Sequence, residues 1–148
     1  MRITDDHYET LKPFFVWASK HLLGVSASLA PDQHPAAVLA HFETVSMAKA
    51  RTGLAMAIGD IIEMSEGFSA RQVAEIDSAL DAQGIITLSA VRGRFWTRIR
   101  RVLERGSIRG EREYYAVRNV VEALPEEEQG SAWQMLATFE AKAAGKVK

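Results

Sequence analysis

The sequence contains no cysteine among its 148 residues. This absence excludes a disulfide framework, a thiolate nucleophile, and zinc or iron–sulfur sites with cysteine ligands. It also fits a reducing compartment such as the cytoplasm. A chain of this length buries enough surface on folding to hold a core without a metal or a disulfide. We therefore expect a single domain over residues 1–148.

The sequence also lacks a surplus of positive charge and long apolar runs. Eighteen Lys and Arg residues are balanced by nineteen Asp and Glu residues, so the formal net charge is −1. This balance excludes a strongly basic coat for nucleic acid. The most apolar run, Leu54–Ile62, already contains Asp60, whereas a membrane-spanning helix needs about 20 residues. Asp5 and Asp6 occupy the place of a signal peptide's apolar stretch. We expect a soluble, cytoplasmic protein that does not enter a membrane.

The motifs of the common enzyme classes are absent as well. The chain has no glycine-rich phosphate-binding loop, no dinucleotide-binding fingerprint, no zinc-protease motif and no serine-hydrolase elbow. We therefore expect no catalytic residue and no cofactor.

Two sets of residues have the types and spacing of metal ligands. Asp60 and Glu63 are three residues apart, and carboxylates at that spacing can hold Mg²⁺. A second acidic pair that would complete such a site is missing. His34 and His41 are seven residues apart and lack a third ligand. We expect no metal site and keep Asp60 and Glu63 as a distant alternative. The preferred interpretation is that this acidic pair marks the solvent side of a mostly buried helix, or pairs with arginines.

Apolar residues recur at helical spacing, and no segment alternates apolar and polar residues as a half-buried strand does. We predict an all-α fold, a compact bundle of about six helices. The predicted helices run from Thr4 or Asp5 to Gly24, from Pro35 to Ser65, from Ser69 to Gly84, from Leu88 to Arg105, from Glu111 to Ala123, and from Pro125 to about residue 143. A frayed tail is expected from about residue 144.

The second predicted helix is the longest and the most apolar. Its apolar stripe begins with Val38, Phe42, Val45 and Met56. The run Leu54–Ile62 is apolar almost all round, which suits close packing against several neighbours. Thirty residues of helix span about 45 Å. Since this length exceeds a compact domain of this size, we predict a break or bend near Gly53 or Gly59.

The third predicted helix has the clearest start and stop signals. Ser69 followed by Gln72 is a capping box, and Phe68 with Val73 forms a hydrophobic staple around it. Gly84 is placed to end the helix.

The distribution of arginine is the unusual feature of the sequence. Residues 91–118 contain nine arginines, no lysine and three glutamates, so this segment has a net charge of +6. Within it, Arg94, Arg98, Arg101 and Arg105 are spaced i, i+4, i+7 and i+11. On one helix over residues 88–105 these four side chains would lie within about 60° of arc. Like charges in a row repel unless an anion lies along them.

Three anions are considered for this stripe. The first is the protein's own set of carboxylates: Glu126–Glu128, Asp60, Glu63 or the acidic first half of the chain. Exclusive use of arginine favours this pairing. The second is the acidic surface of a partner protein, including a second copy of the chain. The third is nucleic-acid phosphate. The third ranks last because the helix has few side chains that read bases. Trp96 lies about 100° from the centre of the apolar face, which makes it the tryptophan best placed to meet a partner.

These observations favour a non-enzymatic protein that acts through protein–protein contacts, as a homodimer. The main support is the apolar run Leu54–Ile62, because a small bundle has limited interior to cover it. The alternative is a nucleic-acid-binding protein that uses the arginine-lined helix over residues 88–105.

Overall fold

The structure, a computed structural model, describes residues 3–23 and 30–146. Within these residues the chain forms eight α-helices, two short 3-10 turns and no strand, which confirms the all-α prediction. The helices are α1 (Asp5–His21), α2 (Pro35–Val45), α3 (Met47–Ser65), α4 (Ala70–Ala82), α5 (Leu88–Phe95), α6 (Thr97–Arg105), α7 (Glu111–Val120) and α8 (Glu126–Lys146). The 3-10 turns are Pro31–Gln33 and Val121–Ala123. There are two more α-helices than predicted because two of the predicted helices are each divided into two.

The helices gather into two compact units, an N-terminal unit (Met1–Thr87) and a C-terminal unit (Leu88–Lys148). That the two units make a single domain stays a prediction. In the part of the chain that the structure describes, no helix has the length and apolar character needed to cross a membrane.

The N-terminal unit is built on mutual packing of α1, α2 and α3. Thr4 caps α1, and its hydroxyl oxygen accepts the backbone N–H of His7 at 3.3 Å. The helix ends at His21, and the predicted stop, Gly24, lies outside the described residues. The core consists of fully buried apolar side chains, among them Leu11, Phe14, Ala18, Leu54, Ile58 and Ile61.

The break in the second predicted helix is at Ser46, and the prediction of a break near Gly53 or Gly59 is wrong. Ser46 has an extended backbone (φ −164°, ψ 118°), and its hydroxyl oxygen accepts the N–H of Lys49 at 3.3 Å. A serine side chain that accepts a hydrogen bond from a backbone N–H in this way caps the start of a new helix. Both glycines lie inside the uninterrupted α3, where they lower helix propensity without breaking the hydrogen-bond ladder.

The capping box predicted for α4 is confirmed. The hydroxyl oxygen of Ser69 accepts the N–H of Gln72 at 3.1 Å, and the Gln72 amide oxygen accepts the N–H of Ser69 at 2.8 Å. Gly84 follows the helix with φ +70°, a left-handed conformation that suits glycine at a helix stop.

The C-terminal unit contains the second break, at Trp96, so the prediction of one helix over residues 88–105 is wrong. Trp96 is extended (φ −70°, ψ 116°) and separates α5 from α6. In an unbroken helix the carbonyl of Gly93 would accept the N–H of Thr97. Here it accepts a hydrogen bond from the Arg100 guanidinium at 3.1 Å. An arginine side chain therefore satisfies a backbone group that the break leaves without its helical partner.

A cluster of nine buried apolar residues forms the core of the C-terminal unit. Its members are Ile99, Val102, Val117, Val120, Val121, Leu124, Ala132, Met135 and Leu136. They come from α6, α7, the second 3-10 turn and α8, except for Leu124, which directly follows the turn. The last helix continues to Lys146, beyond the predicted start of the tail at about residue 144, and residues 147–148 lie outside the described part.

Candidate functional site

The break at Trp96 divides the predicted arginine stripe. Arg94 lies in α5, before the break, whereas Arg98, Arg101 and Arg105 lie in α6. The last three keep the spacing i, i+3 and i+7 and so share one face of a single short helix. A four-residue stripe on one continuous helix is therefore not present.

Arg105 is paired inside the C-terminal unit. Its guanidinium forms an ion pair with Glu113 and donates two hydrogen bonds, at 2.8 and 3.1 Å, to the carbonyl oxygen of Ser107. Glu113 also accepts the backbone N–H of Arg109 at 2.8 Å. Together these contacts hold the loop between α6 and α7 in place. Arg105 is therefore paired with a carboxylate of the protein itself, the first of the three anions considered for the stripe.

The best-formed ion pair uses an arginine outside the predicted stripe. Arg100 donates to both carboxylate oxygens of Glu128, each at 2.7 Å, and both side chains are about 30% exposed or less. The hydrogen bonds from Arg100 hold the pKa of Glu128 below its ordinary value, and those to Glu128 raise the pKa of Arg100. The predicted acidic run Glu126–Glu128 does supply an internal partner, but to a different arginine from those proposed.

Trp96 lies half-buried between two arginines. The guanidinium carbons of Arg92 and Arg98 lie 5.8 and 5.3 Å from the centre of its indole ring, which is cation–π distance. The indole also packs against the core cluster of the C-terminal unit. Trp96 therefore helps to hold α5 and α6 in their own unit, and its contact with a partner stays a prediction.

Arg94 and Arg101 are the two exposed members of the predicted stripe. Within residues 3–23 and 30–146 neither side chain forms an ion pair. They are therefore the stripe residues that remain accessible to an external anion.

The predicted metal candidates lie on the outside of α3. Asp60 and Glu63 are exposed, while Ile61 and Ile62 between them are buried. This is the solvent-side arrangement expected for the pair. In the described part of the chain, no group of three or more His, Asp or Glu residues is placed to hold a metal ion.

An exposed apolar face lies on α2. Val38, Phe42 and Val45 are 40%, 37% and 59% exposed, and their spacing places them within about 60° of arc on one side of the helix. Leu39 is the single buried residue of α2. Met47, which follows the break directly, is exposed as well. We call Val38, Phe42, Val45 and Met47 the α2 face.

The α2 face carries no free carboxylate, lysine or arginine. Glu43 is the only such residue in α2, and it is fully engaged within the N-terminal unit. Both of its oxygens accept hydrogen bonds from Lys12 at 2.9 Å, and one also accepts the hydroxyl of Tyr8 at 2.7 Å. The hydrogen bonds from Tyr8 and Lys12 lower the pKa of Glu43, while burial and this hydrogen bond raise the pKa of Tyr8.

The apolar run Leu54–Ile62 provides less exposed surface than the sequence suggests, although Met56 within it is 67% exposed. Leu54, Ala55, Ile58, Ile61 and Ile62 are at most 7% exposed. Most of the run is therefore used in the core of the N-terminal unit. An exposed face made of several apolar residues lies on the neighbouring α2, where Val38, Phe42 and Val45 share one side. The periodicity of the sequence marks α2 as apolar without showing whether its apolar side is buried or exposed.

No protein-family model, curated protein or solved structure matches the chain.

Proposed function

We propose that the protein is a non-enzymatic, cytoplasmic homodimer that acts through protein–protein contacts, with the α2 face of one copy packed against the α2 face of another. The observation that carries this proposal is the exposed apolar surface of α2. Exposed contiguous apolar surface on a folded chain is typical of an interaction site. The absence of cysteine supports the cytoplasmic assignment.

The lack of free charge on α2 favours a second copy as the occupant. In a two-fold dimer each residue meets the same surface on its partner, so a charged residue near the axis meets its own kind. Because Lys12 and Tyr8 engage Glu43, self-pairing of α2 brings no free carboxylates together, and α2 carries no lysine or arginine. A stable dimer covers about 800 Å² on each partner. The four side chains of the α2 face supply the apolar centre of an interface of this size, not the whole of it.

Wild-type protein is expected to sediment as a dimer at micromolar concentration. Val45→Lys should raise the dissociation constant at least tenfold, since the substitution places an ammonium group of each copy inside the proposed apolar interface. A lysine at the end of α2 is favourable for the monomer because the C-terminal end of a helix attracts positive charge. Analytical ultracentrifugation over a dilution series measures both effects.

Met64→Lys is the matched control, because Met64 is also an exposed apolar residue in the last turn of a helix. It should leave the dissociation constant unchanged. A monomer mass for wild-type protein at high concentration would rule out the dimer. Equal weakening by Val45→Lys and Met64→Lys would place the interface elsewhere.

A second candidate function is the binding of an external polyanion by Arg94 and Arg101. These two exposed arginines belong to a segment with net charge +6, and among the described residues they have no internal carboxylate. Nucleic acid and an acidic protein partner both fit this chemistry. The homodimer ranks first because Arg100 and Arg105 of this segment are engaged in ion pairs inside the C-terminal unit.

Fluorescence anisotropy with labelled duplex and single-stranded DNA tests the nucleic-acid alternative. We expect no binding below micromolar at physiological salt. If wild-type protein does bind, and Arg101→Gln lowers the slope of log affinity against log salt by about one unit without changing the melting temperature, the alternative is correct. Arg71→Gln, at an exposed arginine of α4 in the N-terminal unit, is the control.

A further inference from the structure

The C-terminal unit has a cavity of about 320 Å³ between the loop that follows α6 and one side of α8. This volume is at the lower end of the range for small-molecule sites. On α8 the lining residues recur at positions 131, 134, 135, 138 and 142, which is the spacing of one helix face. The opposite wall is formed by Gly106, Ser107 and Ile108.

The loop wall is held in place by contacts that do not involve the cavity. Gly106 has φ +79°, which glycine adopts without strain. Arg105 donates two hydrogen bonds to the carbonyl of Ser107 and pairs with Glu113, which also accepts the N–H of Arg109. The loop wall of the cavity is therefore held in place, and Arg105 is not available to an occupant.

The inner part of the cavity is apolar. Met135 is 6% exposed and belongs to the core cluster. Ile108 and Phe139 are partly buried beside it, and the Phe139 ring stacks on Tyr114 with centroids 5.2 Å apart. This surface suits a compact apolar group.

The outer part of the cavity presents hydrogen-bond donors and one positive charge. Ser131, Gln134 and Lys142 line it, and within the described residues their side chains have no hydrogen bond or ion pair. The Thr138 hydroxyl is already used, since it donates to the carbonyl of Gln134 at 2.9 Å. Lys142 is the only charged residue among those that line the cavity.

We propose that this cavity binds a small monocarboxylate with a compact apolar body. Lys142 pairs with the carboxylate, and Ile108, Met135 and Phe139 cover the apolar body. A monoanion is favoured over a phosphate dianion because a single ammonium group balances one charge and the nearby Arg105 is engaged elsewhere. An amine of the same shape would meet Lys142 as a like charge.

Three probes that share one ring test this proposal: phenylacetate, 2-phenylethanol and phenethylamine. Each is titrated into ¹⁵N-labelled wild-type protein, and amide shifts give both affinity and location. Phenylacetate is expected to bind at least tenfold more tightly than 2-phenylethanol and to shift residues 106–108 and the 131–142 face of α8. Phenethylamine should not bind. Inorganic phosphate should bind more weakly than phenylacetate.

Lys142→Gln should weaken phenylacetate binding about tenfold and leave 2-phenylethanol binding unchanged. Lys142 is exposed, so the variant should melt as wild type does. Lys49→Gln, at an exposed lysine of α3, is the matched control and should change neither affinity. The proposal is wrong if phenylacetate does not bind at millimolar concentration, if its shifts lie elsewhere, if the alcohol or phosphate binds as tightly, or if Lys142→Gln has no effect.

Discussion

Gly93→Val is expected to destabilise the C-terminal unit by about 3 kcal/mol, the upper end of the usual cost of overpacking. A Cβ atom at Gly93 would lie 2.9 Å from a terminal methyl carbon of Leu124. Leu124 is only 3% exposed and belongs to the core cluster, so it has no space to move into. Urea denaturation followed by circular dichroism measures the loss.

Gly130→Ala is the matched control in the same unit. Gly130 lies in α8, and a Cβ atom there meets nothing within 4 Å. Alanine should therefore stabilise the unit by about 0.5–1 kcal/mol through helix propensity alone. If Gly93→Val were as stable as wild type, the close approach of α5 to Leu124 would be wrong.

Arg100→Met should cost about 2 kcal/mol. The substitution leaves the half-buried carboxylate of Glu128 without its partner and removes the donor from the carbonyl of Gly93. Breaking an exposed pair costs under about 1 kcal/mol and breaking a buried one about 3–5 kcal/mol. Because both side chains are about 30% exposed or less, an intermediate value is expected. Adding Glu128→Leu to Arg100→Met should recover part of the loss, and a double-mutant cycle measures the coupling.

The same ion pair predicts a pH dependence with a definite sign. Arg100 lowers the pKa of Glu128 in the folded state relative to its ordinary value of 4.5. A carboxylate of this kind contributes its stability fully above the unfolded pKa and loses it as the pH falls through the folded pKa. The difference in stability between wild type and Glu128→Gln should therefore shrink below about pH 4.5. A difference that grew on acidification would contradict the pairing.

Local signals in the sequence predicted local structure well. The capping box at Ser69 and the stop at Gly84 depend on residues a few positions apart, and both are confirmed. Ser46 also caps a helix, but Lys49 and not Glu or Gln stands three residues after it, so the sequence shows no capping box there. Gly53 and Gly59 do not break α3, because a glycine inside a helix lowers helix propensity and still keeps its backbone hydrogen bonds.

The break at Trp96 could not be predicted from the sequence nearby. It depends on the approach of Leu124 to Gly93 and on the hydrogen bond from Arg100 to the carbonyl of Gly93. Leu124 is 31 residues from Gly93 along the chain. Glu128, which orients Arg100, is 28 residues from Arg100. The predicted arginine stripe failed for the same reason, since its geometry required an unbroken helix.

The candidate sites were only partly visible in the sequence. Helical periodicity identified Val38, Phe42 and Val45 as one face, but periodicity does not distinguish an apolar face that is buried from one that is exposed. The cavity beside α8 requires the loop over residues 106–108 to lie opposite that helix. Nothing in the composition of either segment indicates that arrangement.

The C-terminal end of α8 extends beyond the contact between this helix and Tyr114. Glu140 accepts a hydrogen bond from Tyr114, and after it residues 141–145 are all exposed. Helical turns without tertiary contacts are only marginally stable in water and open at little free-energy cost, so their amide hydrogens exchange with solvent well before those around Leu136. Lys142 lies in these turns. A ligand held by Lys142 would therefore also slow the opening of this helix end. Slower amide hydrogen exchange at residues 141–145 then reports that the cavity is occupied.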